Sequence, residues 1–264
     1  MYDFAYQKPG SVDEAAKLLG ADPEAKALAG GMTLIPVLKQ RLNRPSVVVD
    51  LAKTGLTGIT VGADKVTIGA MTTHATVAKS ADVRAKIPGL ADLAFWIGDD
   101  QVRHRGTIGG SLANNDPSAC YPAAALALNA TIKTNKREIK ADAFFQGMFT
   151  TALGQDELIT SVTFSVPQKS AYEKFRNPAS RYAIVGVFVA KFPSGVRLAI
   201  TGAGQSGVFR QQQMEQALSA NFSPDAIAGI STPASGLNGD IHASAEYRAH
   251  LIGVMALRAV AKAA

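Results

Sequence analysis

Two pairs of adjacent glycines constrain this 264-residue chain more than any other feature. The first, in Ala29-Gly30-Gly31-Met32-Thr33, ends a short strand pattern (Lys26 to Ala29) and opens a helix pattern. The second, in Thr107-Ile108-Gly109-Gly110-Ser111, reads as a Gly-rich loop ahead of a helical region. Both are flanked by a hydroxyl residue. Glycine lets successive backbone N–H groups converge, and it removes the Cβ that would keep an oxygen away. A helix start adds unsatisfied N–H groups and a partial positive charge. One such loop suits one phosphate, and two brought together suit a pyrophosphate. Taken singly, each pair also reads as an ordinary strand-to-helix turn, and the residues alone do not name a cofactor.

Composition narrows the field. Apolar residues make up 47% and charged residues 18%, which excludes disorder as the resting state. Cys120 is the single cysteine, so the chain can build neither a disulfide framework nor, by itself, an iron–sulfur cluster. The histidines at 74, 104, 242 and 250 show no metal-ligand spacing. The net charge of +6 is compatible with an anionic cofactor, but Lys and Arg are dispersed, without the runs and interleaved aromatics of nucleic-acid binders. The longest apolar stretch, Tyr121 to Ala127, is far short of a membrane span, and the N-terminus lacks a secretory h-region. A soluble, cytoplasmic protein of a reducing compartment is expected.

Along the chain, Ser11 and Glu14 form a capping box for a helix over 11–20, and Leu34, Leu38 and Leu42 share one face of a helix over 33–42. With strands at 26–29 and 47–50, the first fifty residues read as a small α/β unit. Strands follow at 59–61, 66–71, 131–134 and 158–166, with helices from about 73, over most of 82–105 and over 121–129; Phe144 and Phe145 fall on a one-turn helix. Three strand candidates between 171 and 203, separated by Asn177-Pro178 and Pro193-Ser194-Gly195, read as an antiparallel meander. Helices are expected at about 208–219, 223–229 and 244–263, the last with Tyr247, Leu251, Val254, Met255 and Arg258 along one face.

Several motifs compete with the glycine pairs. Gly202-Ala203-Gly204-Gln205-Ser206-Gly207 fits G-x-G-x-x-G after a strand and before a helix. The parallel strand and acidic residue that a dinucleotide fingerprint needs about 20 residues later are missing, so it reads as a turn. Gly109 to Ala113 lacks the last glycine of a nucleophile elbow. Asp99 and Asp100 read as surface acids, and Cys120 as a buried filler.

The stretches AGGMTLIPVLK (29–39), VTIGAMTTHATV (66–77), QVRHRGTIGGSLANNDPSACYPAAALALNATI (101–132) and YEKFRNPASRYAIVGV (172–187) resemble the FAD-binding medium subunit of molybdenum hydroxylases, the family of the carbon monoxide dehydrogenase medium chain and the xanthine dehydrogenase flavin domain. The resemblance runs over essentially the whole chain. It implies an α+β fold: a vanillyl-alcohol-oxidase-type FAD-binding domain over 1–167, built of two α/β subdomains (about 1–54 and 55–167), and a C-terminal domain over 168–264 with a three-stranded antiparallel sheet and a helical bundle. It implies FAD, with the pyrophosphate held by Ala29, Gly30, Gly31, Met32, Thr33 and Leu34 and by Thr107, Ile108, Gly109, Gly110 and Ser111. Ile97 and Ile159 match positions near the adenine or the flavin, and Arg176 falls where relatives place a cation near the isoalloxazine. Relatives often carry Asn at position 111, Lys at 176 and Asp at 120. Cys120 cannot bind a ribose as a carboxylate does, so either Asp116 or water takes that task or the ribose contact is weaker here.

The resemblance further implies partners: a large molybdopterin subunit that oxidises the substrate and a small subunit with two [2Fe–2S] clusters that passes the electrons on, in a dimer of heterotrimers. The substrate and terminal acceptor are not legible here. The rival readings are a stand-alone FAD oxidoreductase, with Tyr182 and His74 as acid–base candidates, a subunit without flavin, and an NAD site at 202–207.

Overall fold

The computed structural model describes residues 1–264. In the N-terminal segment, Ala5–Gln7, Val47–Asp50 and Lys26–Leu28 form a three-stranded sheet in that spatial order, both pairings parallel. Parallel neighbours need crossovers, which the helices Val12–Ala21 and Leu34–Lys39 supply. Ser11 caps the first helix by accepting from the Glu14 amide, and Glu14 reaches back to the Gly10 amide. The second helix is shorter than its leucine spacing implied. The backbone turns left-handed at Arg41 (φ 58°), and Leu42 is exposed.

The middle of the chain forms a five-stranded antiparallel sheet in the order Ile59–Val61, Lys65–Gly69, Ile159–Ser165, Thr131–Thr134, Glu138–Lys140. The long strand Ile159–Ser165 is central although it comes last. Leu158, just before it, packs into the small core of Ala15, Leu19, Val49 and Leu51 and ties the two sheets together. The expected loop at 107–111 is the start of a helix, Ile108–Asn114, with Thr107 as its N-cap. Phe144 ends the one-turn helix and Phe145 opens a strand.

The last third holds the expected antiparallel strands, Lys169–Arg176, Ala183–Phe192 and Gly195–Thr201, and a further edge strand, Phe209–Arg210, which takes the start of the helix expected from 208. That helix runs over Gln212–Ala220, and a short 3-10 turn occupies Pro224–Ile227. Strand Ala183–Phe192 is buried over its first eight residues because both faces of the sheet are covered. Val185, Val187 and Val189 face the helices Gln212–Ala220 and Ala245–Ala263. Phe188 and Ala190 point the other way, into the core around Leu90, Tyr121 and Phe164. The final helix buries Leu251, Ile252, Met255, Ala256 and Ala259, while Arg258 of the expected face is exposed. It presses small residues flat on a sheet, which selects a different stripe from the one the longest side chains outline.

Gly202 to Gly207 follows a strand antiparallel to its neighbour, not a parallel one. The amides of Gly202, Gln205 and Gly207 donate to the carbonyls of Pro117, Gly236 and Gly204, so these donors are already spent within the protein and the motif is a turn.

Candidate functional site

The two glycine pairs meet. A β-carbon on Gly30 would overlap the Arg105 carbonyl and stand 2.7 Å from Cα of Gly106, and one on Gly110 would lie 3.4 Å from Cβ of Ala29. The second pair is anchored from below: the Gly109 amide donates to Ala70 (2.8 Å), the Ile108 amide to Thr72 (3.1 Å), and the His74 amide to Gly106 (3.0 Å). Gly31 has φ +77°, the left-handed conformation that lets the strand turn into the helix.

The two pairs differ in what they offer. The consecutive amides of Gly30, Gly31, Met32, Thr33 and Leu34 donate to no acceptor in the chain. That run of free donors, at a helix start, is an anion-binding nest. At the second pair the amides are spent: those of Ile108 and Gly109 as above, Gly110 to Thr107 Oγ1 (3.1 Å) and Ser111 to the Thr107 carbonyl (3.0 Å). What remains there is clearance over Gly110 and the Ser111 hydroxyl. The expected symmetry of two backbone cradles is therefore one cradle and one bare wall.

Both open on a cleft of about 810 Å³, the size of a dinucleotide site. Ala29, Gly30, Gly31, Met32, Thr33 and Leu34 form one wall. Thr107, Gly109, Gly110, Ser111 and Asp116 form another, and Ile97 and Ile159 lie further along. Ile108 is not part of it: its side chain is fully buried in the core beneath the helix. Arg176 is not part of it either. Its guanidinium lies over the exposed Trp96 ring, 5.2 Å from the centroid.

In place of Arg176, Lys174 lines the cleft, as do Lys26 and Arg181. The Lys174 Nζ donates to the carbonyls of Trp96 (2.6 Å) and Arg181 (3.0 Å) and lies 3.5 Å from Cys120 Sγ. Strand alternation places 174 and 176 on one face, but the pairing slips between Phe175 and Arg176, where Ile184 is an extra residue on the partner strand. The bulge re-aims Arg176 outward. Period-two alternation back from Arg176 was the only sequence signal for Lys174. Tyr182 and Ser118, also on the wall, had none as a pair.

Electrostatics grade the cleft. Burial raises the Asp116 carboxyl above the ordinary carboxylate range, against an amide bond from Ser118 (2.8 Å). Burial raises the Tyr182 phenol as well, helped by the Asp116 charge. His74 is sealed beneath the loops with Nδ1 unpartnered; burial and then the Arg103 charge lower it to about 4, so it is neutral. Deeper in, the Glu157 carboxylate is held down to about 2, first by its hydrogen bond from Arg137 (2.8 Å).

A nest of free amides facing a glycine wall in a dinucleotide-sized cleft defines a protein that binds a nucleotide cofactor through its phosphates. Residues 2–168 match the family described as the FAD binding domain in molybdopterin dehydrogenase. The chain is 37% identical to the nicotine 6-hydroxylase medium subunit of Paenarthrobacter nicotinovorans, over 98% of this chain and 96% of that protein. It is 34% identical to the carbon monoxide dehydrogenase medium chain of Hydrogenophaga pseudoflava, over 97% and 96%. A solved carbon monoxide dehydrogenase from that organism superposes with a TM-score of 0.90 at 33% identity, covering 99% of this chain and 97% of that one. The chain belongs to this family: it is the FAD-binding, oxidoreductase subunit type of the molybdenum hydroxylases. The residues present fit the cofactor: the run of free amides from Gly30 to Leu34 offers the donors that a diphosphate's oxygens would accept, on a cleft of dinucleotide size.

Proposed function

We propose that this chain is the electron-transfer subunit of a hydroxylase-type dehydrogenase. It takes electrons from a [2Fe–2S] subunit and passes them to an external acceptor, in a cytoplasmic dimer of heterotrimers with a large molybdopterin subunit. No helix is long and apolar enough to cross a membrane. The three larger of the four sheets support a division at about 54 and 167 into two FAD-binding subdomains and a C-terminal domain.

The observation that carries this reading is the run of unpaired amides from Gly30 to Leu34, opposite Gly110. In this assignment those amides bind the diphosphate, with Ser111 and Thr33 as side-chain donors. Ile97 and Ile159 give apolar wall to the rings. Lys174, pinned by two carbonyls, presents a fixed positive charge that favours the reduced cofactor. Asp116 takes the ribose role that Cys120 cannot fill. Bound FAD supplies one- and two-electron redox chemistry; the chain binds, orients and tunes it. His74 has no part as acid or base because it is sealed and neutral.

Tyr182 favours a second reading, a stand-alone FAD oxidoreductase: its hydroxyl lines the cleft and bonds to nothing in the chain. Expression with and without the partner genes separates the two. The first reading expects a yellow chain that is inert to organic substrates alone and is reduced by substrate only within the assembly. A lone chain that oxidises a substrate would establish the second.

A further inference from the structure

Cys120, the single cysteine, sits where the cofactor cleft meets the main core, and it is 5% exposed. Two proton donors converge on its sulfur. The Lys174 ammonium has three protons to place. Two go to the carbonyls of Trp96 (2.6 Å) and Arg181 (3.0 Å), and the third meets Cys120 Sγ at 3.5 Å. From within the core comes Tyr172, 1% exposed, whose hydroxyl bonds to nothing in the chain. Burial raises that phenol well above its ordinary range, and Cys120 is the next cause, as befits a hydroxyl turned toward the sulfur. Buried phenols ordinarily find a partner. A thiol sulfur accepts only weakly, so an ammonium proton and a phenol proton share an acceptor that satisfies neither.

An oxygen atom carried by the sulfur would accept from both. We propose that Cys120 is a modification site, a thiol that hydrogen peroxide converts to a sulfenic acid whose oxygen accepts from Lys174 and Tyr172. The sulfur attacks one peroxide oxygen, the S–O bond forms and the O–O bond breaks. The departing hydroxide takes up the proton that the thiol gave up and leaves as water. Sulfur loses two electrons and peroxide gains them, so thiol plus peroxide gives sulfenic acid plus water. The ammonium stabilises the negative charge that passes from sulfur to the departing oxygen. Cys120 is reached through the cleft, so a bound cofactor closes the route and the site is open in the unloaded chain. The oxygen would then occupy the third donor of Lys174, tying the charge on the cleft wall to the peroxide level. The proposal goes beyond the electron-transfer reading and holds whichever partner supplies the electrons.

The test is chemical labelling, read apart from turnover. The full-length chain, FAD-free and FAD-loaded, is treated with hydrogen peroxide in the presence of dimedone, which adds to sulfenic acids and not to thiols, and adducts are followed by intact mass. Because Cys120 is the single cysteine, one adduct per chain assigns the site. The native FAD-free chain should be labelled faster than the urea-unfolded chain, where neither donor is held beside the sulfur. Lys174→Met and Tyr172→Phe should each slow labelling about tenfold, the loss of one good hydrogen bond. Tyr172→Phe deletes an oxygen that has no partner, so its rate should fall without a lower melting temperature. Flavin content is measured on the same samples, and full loading should suppress the adduct. Labelling only after unfolding, equal rates in the parent and both variants, or undiminished labelling at full flavin content overturns the proposal.

Discussion

Gly30 is seated on the Arg105 carbonyl, so closely that the two glycine segments cannot meet with any larger residue at position 30. Gly30→Ala should push them apart, cost about 1–3 kcal/mol of stability through overpacking and weaken FAD retention by at least about tenfold. Flavin per chain after desalting, with a thermal melt alongside, reads both. Gly110→Ala would put its Cβ 2.9 Å from Thr107 Oγ1, the helix N-cap, and 3.4 Å from Ala29 Cβ, so it should cost about 1 kcal/mol through that cap and, by crowding Ala29, weaken flavin retention. Full flavin content in that variant would remove the second wall from the cofactor site.

Lys174 and Arg176 separate charge on the cleft from charge near it. Lys174→Met should lower the flavin midpoint potential by about 30 mV or more, a factor of ten for a two-electron couple. Arg176→Met, which removes only a contact with Trp96, should leave it in place. Dye-equilibrated redox titrations of both variants would reverse the assignment if Arg176 proved the sensitive one.

His74 makes stability depend on pH. Its folded value of about 4 lies below the ordinary 6.5. As pH falls through that interval the unfolded chain takes up a proton that the folded chain refuses, so stability declines by up to about 1.4 kcal/mol per pH unit. Urea midpoints should fall between pH 6.5 and 4 in the parent and lose that component in His74→Leu.

Glu157 acts lower on the scale. Its stabilising contribution is complete above its ordinary 4.5 and disappears as pH falls toward about 2. Glu157→Gln should flatten the acid limb and cost about 1–3 kcal/mol at neutral pH. The cost stays moderate because Arg137, about half exposed, can rehydrate. An unchanged acid limb in the variant would show that other carboxylates set it.

Most elements were legible because their signals are local. Ser11-x-x-Glu14, the strand Val47–Asp50 and the break at Pro193 to Gly195 act through residues a few positions apart. The misread stretches depend on distant partners. Thr107 to Ser111 looks like a loop until Ala70 and Thr72 are present to accept its amides, which lets a helix begin there. Phe209 and Arg210 look helical until strand Gly195–Thr201 offers an edge.

The two glycine pairs were legible in the sequence as candidates for one phosphate site, because a diphosphate cradle needs glycine at fixed places; the cofactor class came only with the family resemblance. Which loop keeps its amides free, and which of Lys174 and Arg176 lines the cleft, were decided by the tertiary structure. Thr72 and Ala70 consume the donors of one loop while nothing consumes those from Gly30 to Leu34, and one slipped residue between Phe175 and Arg176 turns a side chain from cleft to surface. Hydrogen-bond partners and strand register are properties of chain segments far apart in sequence, so no local pattern carries them.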